Sequence, residues 1–259
     1  MTNSTRSFRI RILVFAAFSF AAIAFLIWRK VFAPVDTSHI ERKYIDVRYG
    51  NVSDTQTVNI YLPNVGAGPF PTIVVIHGGG FMMGNATSGE LADMFTGLDR
   101  GFAIASVNYR LSGEATFPAA VSDVRAAVRF VKANVDRYNL APDRLAVWGA
   151  SAGGNLAAMV GTTPHVDTLN GENLENLEFD SSVRAVVDWF GPIRFLEMDQ
   201  QFATLGIEPM LGKTDRAGSP ESRYIGKLIS ADPDLTRRAA PLSFIHKFSE
   251  EFWFEISVW

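Results

Sequence analysis

The chain has 259 residues with 47% hydrophobic content, room for a large buried core, and a formal charge of −3. That balance excludes a disordered chain, and the scattered Lys and Arg offer no basic stripe for nucleic acid. The absence of cysteine excludes disulfides, thiolate zinc sites and a cysteine nucleophile, and none of the four histidines, His39, His77, His165 and His246, is spaced from another like a metal motif.

Arg6, Arg9 and Arg11 lead into an apolar run from Ile12 to Trp28, closed by Arg29 and Lys30. About 17 helical residues reach roughly 26 Å, close to a bilayer's hydrocarbon thickness, so residues 1–30 read as a transmembrane helix anchoring the chain to a membrane. The competing reading is a cleaved signal peptide with Ala22-Ile23-Ala24 as its small-x-small site, although a cut there leaves Phe25 to Trp28 on the mature end. The basic flanks weakly favour a domain on the periplasmic or extracellular side, and cleavage would make it secreted. Residues 31–41 read as a tether and 42–259 as the folded domain.

Arg42 to Tyr49 and Thr57 to Leu62 alternate polar and apolar residues, which predicts two antiparallel strands. Thr72 to Ile76 is a β-branched run bounded by glycine and predicts a central strand buried on both faces. His77-Gly78-Gly79-Gly80 follows directly. Three glycines at the carboxyl end of a buried strand let backbone N–H groups point into a crevice, where open α/β sheets bind ligands, although glycines alone also make flexible turns. Ser88 to Leu98 carries a helical pattern, and Phe102 to Val107 predicts a strand ending in Asn108-Tyr109-Arg110-Leu111. Apolar residues at helical spacing from Ala119 to Val131 predict an amphipathic crossover helix over Pro118 to Tyr138, with Pro118 at its first position.

Leu145 to Trp148 is another buried strand, and Leu156 to Val160 reads as helix. Between them lies Gly149-Ala150-Ser151-Ala152-Gly153. A strand that turns into a helix within so few residues brings backbones close together, so glycines two before and two after the serine relieve clashes that any Cβ would create. The hydroxyl then sits beside a helix N-terminus, where free N–H groups can stabilise an oxyanion. Thr163 to Ser182, polar and rich in Asn and Glu, reads as an exposed excursion, and Val183 to Trp189 as a further buried strand. Strands alternating with helices predict an α/β architecture with a mostly parallel, doubly wound sheet.

Four segments in this order, His77 to Gly80, Asn108 to Leu111, Gly149 to Gly153 and Asp188-Trp189-Phe190-Gly191-Pro192, resemble the α/β-hydrolase superfamily. Within it the chain most resembles bacterial esterases of the hormone-sensitive-lipase-like group, particularly the feruloyl-esterase-like domain of Bacteroidetes proteins, from about Arg42 to about Lys247. The resemblance implies a small-molecule ester substrate, Ser151 as nucleophile, and an oxyanion hole made by the N–H groups of Gly79, Gly80 and Ala152. His77, Arg110, Asp123, Trp148 and Asn155 would serve structure. Hydrolysis of this kind needs no cofactor, and no cofactor motif or metal site is found.

The resemblance also implies an acid in a loop after the next strand and a histidine some way beyond it, in chain order Ser, Asp, His. Phe252, Phe254, Ile256 and Val258 alternate like the strand before that acid loop, and the sequence given reaches Trp259 before either residue. The expectation is an α/β-hydrolase domain incomplete at its C-terminus, lacking acid and base. His39, His165 and His246 are poor substitutes by position, and Asp188, at the end of the strand after the elbow, is the remaining acid candidate. Ile193 to Leu235, with Met198, Phe202, Leu205, Met210 and Leu211, reads as a segment capping the pocket or as ordinary core. Oligomeric state is not legible.

Overall fold

The computed structural model describes residues 33–171, 175–209, 211–245 and 255–257. The apolar run Ile12–Trp28, Met210 and His246 lie outside them. Among the described residues no helix is long and apolar enough to cross a membrane.

The strands are β1 (Lys43–Arg48), β2 (Thr57–Tyr61), β3 (Phe70–Ile76), β4 (Ala103–Val107), β5 (Leu140–Ala150), β6 (Ala185–Trp189) and β7 (Glu255–Ser257). They form one sheet in the order β1-β2-β4-β3-β5-β6-β7. The β1/β2 and β2/β4 pairings are antiparallel, and β4 through β7 run parallel. The mostly parallel sheet follows from its crossovers. Parallel neighbours require a long connection, supplied here by α1 (Leu91–Met94), α2 (Thr96–Asp99), α3 (Ala119–Ala133), α4 (Val135–Tyr138) and α5 (Ala152–Thr162).

Burial on both faces explains the β-branched run in β3. Val74 and Ile76 enter a large cluster with Val121, Val124 and Val128 of α3 and Leu156 of α5. Val75 points the other way, into a second cluster with Tyr61, Leu91, Phe95, Leu98 and Trp148. The single helix expected over Pro118–Tyr138 is broken at Asn134, which has left the helical region (φ −118°) and whose side-chain amide donates to the Phe130 carbonyl at 2.9 Å. That local bond competes with helix propagation. Pro118 precedes the first helical residue instead of occupying it.

Three other segments differ from expectation. The pattern at Ser88–Leu98 becomes the two short helices α1 and α2. Residues 33–41, the tether's distal part, lie against the domain: the Val35 N–H donates to the Thr87 carbonyl at 2.9 Å, and Ile40 is buried in the second cluster. The polar excursion beyond α5 is anchored to α3, because Arg125 donates to the Thr163 hydroxyl at 3.1 Å and Arg129 to Asn170 Oδ1 at 3.1 Å. Strand β6, expected to be buried throughout, is buried on one face only: Val186 and Asp188 face the core, while Val187 and Trp189 stay about 40% exposed past the edge of the second cluster.

One polar tie crosses the apolar interior. The Asp123 carboxylate of α3 accepts from the Arg110 backbone at 2.8 Å, from Arg110 Nη2 at 2.9 Å and from Gln56 Nε2 at 2.7 Å. It joins the loop after β4, the β1–β2 connection and α3, all away from solvent. Removing one partner of a buried ion pair leaves the other charge uncompensated. Asp123→Ala is therefore expected to lower unfolding free energy by about 3–5 kcal/mol, read by urea denaturation of the purified domain.

Candidate active site

The register between β3 and β5 assembles this site. Ile76 pairs with Gly149, so the Gly-rich loop leaving β3 and the turn leaving β5 emerge side by side at the carboxyl edge of the sheet. A Cβ built on Gly78 would lie 3.0 Å from the Ala150 carbonyl oxygen, and one on Gly153 would lie 2.1 Å from the Ile76 carbonyl oxygen. A Cβ on Gly149 would lie 2.1 Å from the Gly153 carbonyl oxygen. No side chain fits at Gly149 or Gly153 without moving backbone, which is the reason for the glycine spacing inferred from the sequence.

Ser151 sits at the apex with φ 54° and ψ −122°, a conformation that L residues rarely adopt. Its N–H donates to the Trp189 carbonyl at 2.8 Å, and its carbonyl accepts from the Asn155 N–H at 3.1 Å as α5 begins. Ser151 is partly accessible, while Ala152 behind it is buried. The Ala152 N–H belongs to the first turn of α5, whose amides have no carbonyl one turn earlier. No described imidazole is hydrogen-bonded to Ser151.

The His77 carbonyl accepts from the Tyr109 hydroxyl at 2.9 Å. The Gly78 N–H donates to Glu90 Oε2 at 2.8 Å, and the Gly78 carbonyl lies 2.8 Å from His77 Nδ1. The Gly79 carbonyl accepts from the N–H groups of Met82 and Met83. Among the described residues no acceptor takes the N–H of Gly79 or Gly80. Both residues have positive φ, 108° and 62°, and a Cβ on Gly79 would lie 2.1 Å from the Met83 carbonyl oxygen. Among the described residues Gly79 and Gly80 thus keep unclaimed N–H groups on the loop that emerges next to the elbow.

His77 has the structural place expected of it. Its ring stacks on Tyr109 with centroids 4.4 Å apart, and burial lowers its pKa to about 4, so the imidazole stays neutral at physiological pH. The remaining described histidines lie elsewhere: His39 meets Phe95 edge-on, and His165 lines a cavity with Arg125 and Arg129. Asp188 is buried beneath the elbow helix, where Oδ1 accepts from the Gly191 N–H at 2.7 Å and Oδ2 has no partner among the described residues. Burial raises its pKa. A Cβ on Gly154 would lie 2.3 Å from Oδ1, so this carboxyl packs against α5 and braces the turn at Gly191. Asn155 joins the same support, its amide donating to the Pro192 carbonyl at 2.7 Å.

Within Ile193–Leu235, helix α6 (Met198–Leu205) is followed by α7 (Pro220–Ile225). Helix α7 seats on the Gly-rich loop: Tyr224 stacks on Phe81 with centroids 3.9 Å apart, and Pro220 would meet a Cβ on Gly80 at 3.2 Å. Met198 packs on the main core, whereas Leu205 and Leu211 face solvent. A cleft of about 340 Å³ runs between Ser112 and Arg223 beside α7, and Ser151 does not line it. Sequence reasoning missed Glu90, for no spacing pattern links a lone acid to a backbone N–H twelve residues earlier.

The BD-FAE family model matches residues 58–254. A Mycobacterium tuberculosis protein named "Probable carboxylic ester hydrolase LipM" is 29% identical over 198 residues, covering 73% of this chain and 45% of its own length. The carboxylesterase NlhH of the same species is 34% identical over 114 residues, 44% of this chain and 35% of NlhH. Among solved structures, a truncated form of a carbohydrate esterase from gut microbiota superposes with a TM-score of 0.74 at 29% identity, covering 86% of this chain and 78% of that one. A bifunctional GH43-CE protein from Bacteroides eggerthii gives a TM-score of 0.72 at 30% identity, with coverage of 83% and 28%. The chain spans less than half the length of these mycobacterial relatives.

The close approach at Gly153 has a direct consequence. Gly153→Ala is expected to push β3 and α5 apart, at an overpacking cost of about 1–3 kcal/mol, read as a lower urea midpoint. Ala158→Gly, a control at the buried far end of the same helix, is expected to cost about 1 kcal/mol without disturbing the elbow.

Proposed function

The chain belongs to the BD-FAE family of α/β-hydrolase esterases, and from that membership we propose that it hydrolyses carboxylic esters of small molecules through an acyl-enzyme on Ser151. The observation that carries this reading is Ser151 at positive φ on the apex of the elbow, with the Gly-rich loop leaving β3 at the same edge of the sheet. In the proposed reaction Ser151 Oγ attacks the ester carbonyl, and the negative charge that develops on its oxygen is met by the N–H groups of Gly79, Gly80 and Ala152. Each such donor contributes about 3 kcal/mol in the transition state. The alcohol departs, and water releases the acid from the acyl-serine.

Attack also needs an acceptor for the hydroxyl proton within about 3 Å. The resemblance assigns that task to a histidine oriented by an acid, both after the strand that β7 represents. With no described imidazole bonded to Ser151, turnover by this chain is proposed to be impaired, since loss of the base in a comparable serine hydrolase costs about a millionfold. The same observation favours a second reading, a catalytically inactive membrane-tethered binding module. A short-chain nitrophenyl ester separates the two. The esterase reading expects purified protein to exceed its Ser151→Ala variant, by about a thousandfold or more if a base is in reach and by far less if oxyanion donors act alone. Equal rates would favour the binding module.

We further propose that residues 1–30 attach the domain to a membrane, with the domain on the periplasmic or extracellular side; the basis is the apolar run Ile12–Trp28 between basic flanks. The full chain is expected to pellet with membranes after carbonate extraction. A chain starting at residue 31 should stay in the supernatant.

A further inference from the structure

We propose that Glu90 is a positioning residue whose carboxylate, by accepting the Gly78 N–H, holds the Gly-rich loop in the conformation that turns the Gly79 and Gly80 amides toward Ser151. The proposal rests on the esterase reading for its catalytic meaning and on the loop geometry alone for its structural content. Gly78 lies between two walls: a Cβ there would meet Glu90 Oε1 at 2.9 Å on one side and the Ala150 carbonyl oxygen at 3.0 Å on the other. The elbow fixes one wall, and Glu90 forms the other through a 2.8 Å charge-assisted bond.

The loop's other hydrogen bonds do not replace this one. Those of the His77 carbonyl, the Gly78 carbonyl and the Gly79 carbonyl all fix acceptors. Among the described residues only the bond to Glu90 takes an N–H of the glycine run. Without it the Gly78 amide would be free to rotate, and with φ of 108° at Gly79 and 62° at Gly80 the chain beyond it has the wide conformational freedom of glycine. Glu90 itself is placed by its neighbour: Leu91 is buried in the second cluster with Phe95 and Trp148, so the position of the carboxylate is set by packing against β5, the strand that leads into Ser151.

The choice of side chain is informative. Glu90 is partly buried, burial raises its pKa, and among the described residues no Lys, Arg or His bridges it. A carboxylate held in that setting is unfavourable unless the bond it makes has a use. Its negative charge would also oppose an oxyanion forming nearby. The requirement is therefore for an acceptor at this point and not for a charge, and a neutral amide oxygen should meet it.

The test uses the full chain and three variants. In Glu90→Ala, amide hydrogen exchange over residues 77–83 should rise about tenfold or more while the rest of the map stays unchanged, and Glu90→Gln should restore slow exchange. For nitrophenyl acetate hydrolysis, Glu90→Ala should lower kcat about tenfold with KM within about twofold, and Glu90→Gln should stay within about threefold of the parent. Should Glu90→Ala fail to fold, Glu90→Leu keeps the side-chain volume and carries the same expectation. Unchanged exchange over 77–83 in the Ala or Leu variant overturns the proposal. So does equal loss of kcat in the Gln variant, which would point to proton transfer by Glu90. Failure of the esterase reading shows separately, as a parent rate equal to that of Ser151→Ala, and the exchange result then decides the positioning claim by itself.

Discussion

The site depends on one steric constraint, the contact between the backbone leaving β3 and the first turn of α5. Where Gly153 faces the Ile76 carbonyl there is no volume for a methyl group, and Gly149 faces Gly153 in the same way. Close-packed backbone has few ways to relax, so the turn has a single conformation, and that conformation holds Ser151 at φ 54°. The strain at one residue is sustained because its neighbours over-determine it. The Ser151 N–H is bonded to Trp189 of β6, its carbonyl to Asn155 of α5, and Asn155 in turn holds Pro192. Two elements, β6 and α5, thus hold the backbone of the apex on either side of the hydroxyl.

Polar groups in the interior serve this arrangement from a distance. Asp123 joins Arg110 and Gln56 on the far side of β4, while Asp188 props the turn at Gly191 against Gly154. Both are buried carboxyls, yet they differ in physical situation. Asp123 is neutralised by a guanidinium and satisfied on both oxygens. Among the described residues Asp188 has one oxygen without a partner and no cation beside it, and burial raises its pKa. Its bond to the Gly191 N–H and its packing against Gly154 beneath α5 argue for a structural role.

The sheet, its parallel order and the elbow were legible in the sequence because each rests on local chemistry. A β-branched run between glycines makes a two-faced strand, and Gly-x-Ser-x-Gly between strand and helix leaves little choice of turn. The break at Asn134 and the half-exposed face of β6 were not legible. The first depends on a side chain reaching back to the Phe130 carbonyl, the second on what covers Val187 and Trp189, which the apolar pattern of the strand itself does not encode. The docking of residues 33–41 escaped for a similar reason, since Val35 and Ile40 look like linker residues until Thr87 and Phe95 are brought to them. For the candidate site, Ser151, Gly79, Gly80 and Ala152 were named from motif and resemblance. Glu90 could not be, because a backbone amide leaves no trace in sequence spacing.

Burial of Glu90 beside a loop proposed to meet an oxyanion looks counterproductive until direction is considered. An amide N–H has one hydrogen, and once the Gly78 N–H is given to Glu90 it cannot turn toward the crevice. What the bond secures is the orientation of the next two peptide planes, because each peptide unit is rigid and rotation is confined to φ and ψ. In the proposed site the donors would contact the oxyanion directly while the carboxylate is occupied by the Gly78 N–H, and Coulomb energy falls with distance while a hydrogen bond fails within a fraction of an ångström. A distant unfavourable charge can thus be outweighed by two well-aimed donors, provided the donors are held before the charge develops.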